Sequence, residues 1–302
     1  PNRILITKNG RLMLIDPDGK NASPVTTDGE SPRSGRLSPD GRTVAYVAHL
    51  MDVPPAPEGI RQIEQRLFVR RADGTGAATD LGVAAESFAW SADGSRIATT
   101  DFVKRGGELT AVHKLVDVAV KTAADLPVPA DHILTDWSRD GRFFLTQQFR
   151  PSDPEGVLPT IRIRLLNRDG TDDKLTNAAT RLLLNGRLSP DGRRVLCEQA
   201  RLPPDPTGKW PPRRPVVLDL VTGVVTSLAD FPPNGEMFGF CWSPDGRRVA
   251  FAWHPAGDID PTLPPLESSL VVCDADGRNS ATVATAKGLL PIGSALLVED
   301  WR

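Results

Sequence analysis

Short apolar runs alternate with polar turns along the whole chain, and the turns repeat. Phe238 to Ser243 is one such run, and Pro244-Asp245-Gly246 follows it as turn chemistry. Pro presets φ, Asp caps its own backbone, and Gly accepts a positive φ. Arg248 to Trp253 then resumes with β-branched and aromatic residues, as a strand does. After a Pro-rich stretch, Leu270 to Asp274 predicts a third strand, Ala275-Asp276-Gly277 a second tight turn, and Ala281 to Ala284 a fourth strand. The unit is a four-stranded meander.

The first turn occurs five times, at Ser38-Pro39-Asp40-Gly41, Ser91-Ala92-Asp93-Gly94, Ser138-Arg139-Asp140-Gly141, Ser189-Pro190-Asp191-Gly192 and Ser243-Pro244-Asp245-Gly246. The copies start 53, 47, 51 and 54 residues apart. A period near 50 residues predicts stacked supersecondary units. The second turn recurs at Asp16-Pro17-Asp18-Gly19, Arg71-Ala72-Asp73-Gly74, Asn167-Arg168-Asp169-Gly170, Leu220-Val221-Thr222-Gly223 and Asp274-Ala275-Asp276-Gly277, with a degraded copy from Asp117 to Lys121. Six second turns against five first turns imply that the chain starts inside a unit, at Ile4-Leu5-Ile6. The missing first strand then comes from Leu289 to Trp301. Six units closed by both ends of the chain form a ring. The expectation is an all-β, six-bladed β-propeller of four-stranded antiparallel blades. Residues 1–302 are expected to be one domain, with one blade shared by residues 1–30 and 289–302. Closure removes the sheet edges that an open stack presents.

Trp242-Ser243-Pro244-Asp245-Gly246, followed by Val249-Ala250-Phe251, resembles the blade signature of the TolB-type β-propeller family, whose repeats are WD40-like. Asp274-Ala275-Asp276-Gly277 matches that family's aspartate-rich turn. Trp90 and Trp137 match at the tryptophan position, and Leu37 and Leu188 replace it. The resemblance covers nearly the whole chain but only the propeller, without the small N-terminal domain that precedes it in TolB. It implies the fold. It implies a bacterial protein in a periplasmic or extracytoplasmic setting and a role in protein binding. It implies no particular activity, because the family hosts unrelated roles.

Composition narrows the picture. The chain has 302 residues, is 39% hydrophobic and carries a net charge of −2. That suits one large all-β domain. A nucleic-acid footprint needs a basic stripe, and none is present. No apolar run approaches the length of a membrane span. Arg outnumbers Lys 28 to 8, which reads as genome bias. The start at Pro1 without an initiator Met implies a processed form or an excised domain. Cys197, Cys241 and Cys273 each sit among apolar strand residues and read as buried, reduced thiols. No CxxC or Cys/His pairing argues for a metal.

Both tight turns of each unit fall on one side of the ring. The second-to-third-strand connections fall on the other. Five of these are expected to be long loops, His49 to Ile63, Val103 to His113, Arg150 to Thr160, Ala200 to Arg214 and His254 to Glu267, while Lys8-Asn9-Gly10 is short. Long loops on a rigid scaffold are where binding usually resides, and Pro stiffens them. The candidate partner-binding residues are Trp210, Arg213, Arg214, Lys104, Arg105, Asp258, Asp260, His49 and His254. Trp beside Arg is hot-spot composition. His49 and His254 each lie eleven residues after a repeat Ser and open a long loop. Two His without a third ligand make no metal site, and repeat drift explains the coincidence. His113 and His132 are read as surface or loop residues. Arg36, Ala89, Asp136, Arg187 and Cys241 share one register on the innermost strands, and Asp136 is expected to pair with Arg187 of the neighbouring blade.

Enzyme readings find little support. Ser-Pro-Asp-Gly lacks the residue that a sialidase Asp box places between Asp and Gly. The Asp-x-Asp-Gly turns do not continue to the Glu of a calcium loop. There is no G-x-S-x-G elbow. The expectation is a monomeric, non-enzymatic interaction scaffold that needs no cofactor or metal and binds a protein or peptide through the long-loop face and channel mouth. The alternative is a lyase- or hydrolase-like propeller enzyme, or a carbohydrate-binding protein, with its site at that mouth.

Overall fold

A computed structural model describes residues 2–50, 64–105, 108–150, 160–175, 183–199, 214–228, 235–255, 266–288 and 296–302. These residues form six four-stranded antiparallel sheets and no helix. Blade 1 runs from the innermost strand outward as Leu296–Trp301, Ile4–Lys8, Arg11–Ile15 and Ser23–Pro24. Blade 2 is Pro32–Leu37, Thr43–Leu50, Glu64–Arg71 and Thr79–Asp80. Blade 3 is Ser87–Trp90, Arg96–Arg105, Glu108–Asp117 and Thr122–Asp125. Blade 4 is His132–Trp137, Phe143–Arg150, Thr160–Asn167 and Asp172–Leu175. Blade 5 is Leu183–Leu188, Arg194–Gln199, Arg214–Asp219 and Val225–Ser227. Blade 6 is Gly235–Trp242, Arg248–Pro255, Leu266–Asp274 and Ala281–Gly288.

Closure follows the expected route. The last strand pairs with the first, Ile4 opposite Trp301 and Lys8 opposite Leu296. Arg3 and Arg302 exchange backbone hydrogen bonds of 2.7 and 3.1 Å. The core is divided among the blade interfaces. One cluster joins Cys241, Ala250 and Leu270 of blade 6 to Ile4, Leu296 and Trp301 of blade 1. Comparable clusters fill the other five contacts between successive blades. A closed ring needs each sheet to be apolar on both faces, which is why the strands read as near-continuous hydrophobic runs. Cys197, Cys241 and Cys273 lie in these clusters, all buried and all free.

The five Ser-x-Asp-Gly turns share one hydrogen-bond pattern. In the first, the Ser38 hydroxyl donates to Asp40 Oδ1 (2.6 Å) and accepts from the Thr43 N–H (3.0 Å). Asp40 Oδ1 also accepts from the Arg42 N–H (3.0 Å), and the Gly41 N–H returns to the Ser38 carbonyl (2.8 Å). Gly41 sits at φ +69°, where a side chain is disfavoured. The Ser hydroxyl and one Asp oxygen are both spent on the turn itself, so the sequence is a folding device. The degraded turn at Asp117 keeps the geometry with Lys121 at φ 57°, donating its N–H to the Asp117 carbonyl.

The expected 103–113 loop is instead a continuous hairpin. Arg96–Arg105 and Glu108–Asp117 stay in register out to Arg105 opposite Glu108, leaving two connecting residues. The other four long connections fall on 51–63, 151–159, 200–213 and 256–265, outside the described residues.

Candidate functional site: the two mouths of the channel

Five of the six innermost strands carry a register shift against their neighbour. A bulge frees the backbone of one residue and re-aims its side chain. In blade 4 the extra residue is Thr135, and in blade 1 it is Glu299. The channel is built around these two.

At mid-channel the Thr135 carbonyl accepts from two guanidiniums, Arg36 Nη2 and Arg187 Nη1 (2.7 Å). Arg36 Nη1 reaches Asp136 Oδ1 at 3.1 Å. The expected Asp136–Arg187 pair is therefore replaced by Asp136–Arg36, which links blades 4 and 2, while Arg187 takes the carbonyl freed by the bulge. Asp136 Oδ2 accepts from the Leu188 N–H (2.8 Å), which fixes blade 5 to blade 4. The channel narrows here to about 30 Å³.

Toward the long-loop side the channel opens into a cavity of about 300 Å³, bounded by Arg33, Glu86, Gln147, Asn185, Glu198 and Glu299. Glu299 accepts from the Thr7 hydroxyl (2.7 Å) and the Gly35 N–H (3.0 Å). Burial pushes its carboxyl up to about 7 despite these bonds and the charge of Arg36. Gln147 Oε1 accepts from the Asn185 N–H (2.9 Å). The opposite mouth is larger, about 540 Å³, and lies among the Ser-x-Asp-Gly turns, with Trp90, Trp137, Arg139, Arg248 and Arg302 on its wall.

Of the nine candidate partner-binding residues, Trp210, Arg213, Asp258 and Asp260 lie outside the described residues, as does the side chain of Arg105. Lys104 is the last residue but one of the second strand of blade 3 and Arg214 begins the third strand of blade 5, both exposed at the long-loop end. His49 is half-buried at the same end of blade 2, and its Nε2 is buried without a partner. Burial, and then the charge of Arg33, lower its pKa. His254 is only 1% exposed. It contacts the Leu296 carbonyl through Nε2 (2.9 Å) and the Ser268 hydroxyl through Nδ1 (3.1 Å), and it packs against Phe238. It joins blade 6 to blade 1. His49 and His254 share no site, and among the described residues no group of three or more His, Cys, Asp or Glu is arranged to hold a metal ion.

His113 and His132 are buried rather than superficial. His113 contacts Thr100 Oγ1 (3.0 Å) and the Pro129 carbonyl (3.2 Å), tying blade 3 to blade 4 as His254 ties blade 6 to blade 1. His132 Nδ1 contacts Thr146 Oγ1 at 2.8 Å. An imidazole placed on an interblade seam has a carbonyl and a hydroxyl within reach, and that environment outweighs its surface preference.

Sequence reasoning missed Glu299 and Thr135, because a bulge breaks the alternation that strand reading relies on. It also passed over the turn-side mouth. A signal existed in the dipeptides Asp136-Trp137 and Asp300-Trp301. Each precedes a blade bearing the octapeptide Gly-Arg-Leu-Ser-Pro-Asp-Gly-Arg, at 35–42 and 186–193.

Similar folds occur in solved structures. TolB from Acinetobacter baumannii superposes with a TM-score of 0.67 at 16% identity, covering 99% of this chain and 66% of that protein. The putative TolB from Agrobacterium tumefaciens gives 0.66 at 17% identity, covering 99% and 96%. An oligogalacturonate lyase from Vibrio parahaemolyticus gives 0.53 at 13% identity, covering 90% and 70%. No family model matches the sequence, and no curated protein matches it. The six-bladed propeller of the TolB structures is thus the fold of this chain.

Proposed function

We propose that this chain is a non-enzymatic interaction scaffold that binds a protein or peptide through its long-loop face and the channel mouth there. One observation carries the reading: the two ends of the ring have opposite construction. The turn end is committed to a repeated hydrogen-bond pattern in its five turns. The other end holds a mouth of mixed charge, and connections of up to fourteen residues, 200–213, leave from it. Variable connections on a fixed frame suit recognition. The likeness to the TolB propellers supports a scaffold role through fold alone. An extracytoplasmic location and a monomeric, single-domain state belong to the same proposal.

The contact set is Trp210, Arg213, Arg214, Lys104, Arg105, Asp258, Asp260 and His49, with His254 withdrawn because it is buried. The test begins with pull-down of a partner. Trp210→Ala and Arg213→Ala are expected to weaken its binding by tenfold or more at unchanged melting temperature, consistent with ~2 kcal/mol for an interface anchor. Arg42→Ala on the turn side is expected to leave affinity alone. Loss from Arg42→Ala, with none from the loop-side pair, overturns the face assignment. Stoichiometric binding of saccharide or metal at the loop-side mouth would favour the carbohydrate-binding or enzyme alternative.

A further inference from the structure

The turn-side mouth lies at the end of the channel that the proposed partner does not use, and it holds donors without acceptors. Blades 1 and 4 are equivalent there. Trp301 pairs with Ile4 as Trp137 pairs with Phe144, and Asp300 with Leu5 as Asp136 with Leu145. The indole N–H of Trp301 donates to Asn2 Oδ1 at 2.6 Å. By the same register, Asn2 corresponds to Arg142, which has no acceptor to offer. The Trp137 indole N–H is accordingly buried with no partner, although Trp90 and Trp242 donate to the carbonyls of Arg36 and Arg187 (3.1 and 3.0 Å). A buried donor left unpaired is uncommon and costly.

The charges in this mouth point the same way. Asp40 and Asp245 are consumed by their own turns: the Ser38 and Ser243 hydroxyls, then backbone N–H groups, hold both carboxyls below their ordinary value. The guanidiniums are not consumed. Arg139 makes one bond, from Nη1 to the Pro244 carbonyl across the mouth (3.2 Å). Arg248 stacks on Trp301 (5.0 Å), and its guanidinium makes no hydrogen bond or ion pair among the described residues. Arg302 Nε is buried and lies no closer than 3.6 Å to Asp300. Partial burial and then the charge of Arg302 push the Arg139 guanidinium down, while the carboxylates of Asp300 and Asp136 act the other way. Arg139 itself stands where three of the five turns have Pro, at Pro39, Pro190 and Pro244, so the turn does not require it.

We propose that the turn-side mouth binds a small polyanion, whose carboxylate or phosphate oxygens accept from the Trp137 indole N–H and from the guanidiniums of Arg139, Arg248 and Arg302. A space of about 540 Å³ suits a ligand of that size. Guanidinium forks suit either oxyanion. This site is independent of the partner surface proposed above.

The test is calorimetric titration of the whole chain, at low ionic strength, with citrate and with pyrophosphate, and with glucose as the neutral control. Saturable one-to-one binding of at least one anion, and none of glucose, is expected. Citrate alone identifies a carboxylate ligand, and pyrophosphate alone a phosphate ligand. Arg139→Pro installs the residue that three of the other four turns carry and is expected to weaken binding at least tenfold. Trp137→Phe removes only the N–H and is expected to weaken it about fivefold. Arg213→Ala, on the opposite side, is expected to leave it unchanged, so that failure here and failure of the partner surface are told apart. Absence of saturable binding by either anion overturns the proposal. So does an affinity that neither Arg139→Pro nor Trp137→Phe alters. Melting curves accompany both variants, and Trp137→Phe decides the matter if Arg139→Pro does not fold.

Discussion

Asp136 and Asp300 form the same clasp half a ring apart. Asp136 accepts from the N–H of Trp137 (2.9 Å) and of Leu188 in the next blade (2.8 Å). Asp300 accepts from the N–H of Trp301 (2.8 Å) and of Leu37 in the next blade (3.0 Å). Each clasp grips one copy of the octapeptide, and the indole of the blade beyond, Trp242 or Trp90, donates to that copy's arginine carbonyl. The ring is thus two matching sets of three blades. They differ at the bulge, where one carries Thr135 and the other Glu299.

Asp136→Asn is expected to destabilise more than Asp300→Asn. Both substitutions turn an amide NH2 toward a backbone N–H, at a cost of about 1–2 kcal/mol. Asp136→Asn also removes the charge that pairs with the buried Arg36 guanidinium at 3.1 Å, which raises the loss to about 3 kcal/mol, whereas Asp300→Asn removes only a longer, 3.6 Å contact to the less buried Arg302. Urea unfolding of the two variants checks the order.

Glu299 makes stability depend on pH in an unusual direction. Its folded pKa, about 7, lies above the ordinary 4.5. Its contribution is therefore fully present below pH 4.5 and is lost as pH rises through 7. In Glu299→Gln the amide oxygen keeps the Gly35 N–H and the NH2 group donates to Thr7. The variant should gain on the native protein between pH 4.5 and 7 and hold that gain above, by about 3 kcal/mol at most. Unfolding curves at pH 4.5, 6 and 8 read the difference.

Closure depends on a close approach of blades 6 and 1. A Cβ on Gly239 would lie 2.0 Å from the Val298 carbonyl oxygen, and Gly239 already sits at φ +71°. Gly239→Ala should lower the melting temperature by several degrees, and removing residues 289–302 should abolish a single cooperative transition. An unchanged melting temperature in the truncated chain would contradict closure by both termini.

The thiols are expected to be silent. Cys197, Cys241 and Cys273 are each no more than 3% exposed, and burial raises the thiol pKa of Cys197 and Cys241 far above the ordinary value. Native protein should react with a thiol reagent only at the rate at which it unfolds, and all three should label in denaturant.

Blade number, closure and strand order were legible because turn chemistry is local: Ser, Asp and Gly at fixed offsets specify a hydrogen-bond set without reference to the rest of the fold. The register of Arg36, Ala89, Asp136, Arg187 and Cys241 was legible for the same reason, since each lies one residue before the Leu or Trp that precedes a turn. Side-chain partners were not. Asp136 pairs with Arg36 of blade 2, while both Arg36 and Arg187 reach the Thr135 carbonyl that a bulge exposes, and bulges depend on how neighbouring sheets meet. The histidines misled for a related reason. His113 and His254 look alike to any reading of polarity, yet their burial is set by carbonyls of the following blade. The proposed partner-binding set rests on loop composition, and Trp210, Arg213, Asp258 and Asp260 of that set lie outside the described residues.

The mutual hydrogen bonds of Arg3 and Arg302 have a mechanical meaning. The first and last strands are antiparallel and begin and end at the same rim, so a load applied across residues 3 and 302 opens the ring like a zipper. Each rung of the Ile4–Lys8 ladder breaks in turn under a modest force, instead of all sharing it in shear. The ring should therefore yield readily to a pull on its two ends, and should resist far better when gripped at two of its turns.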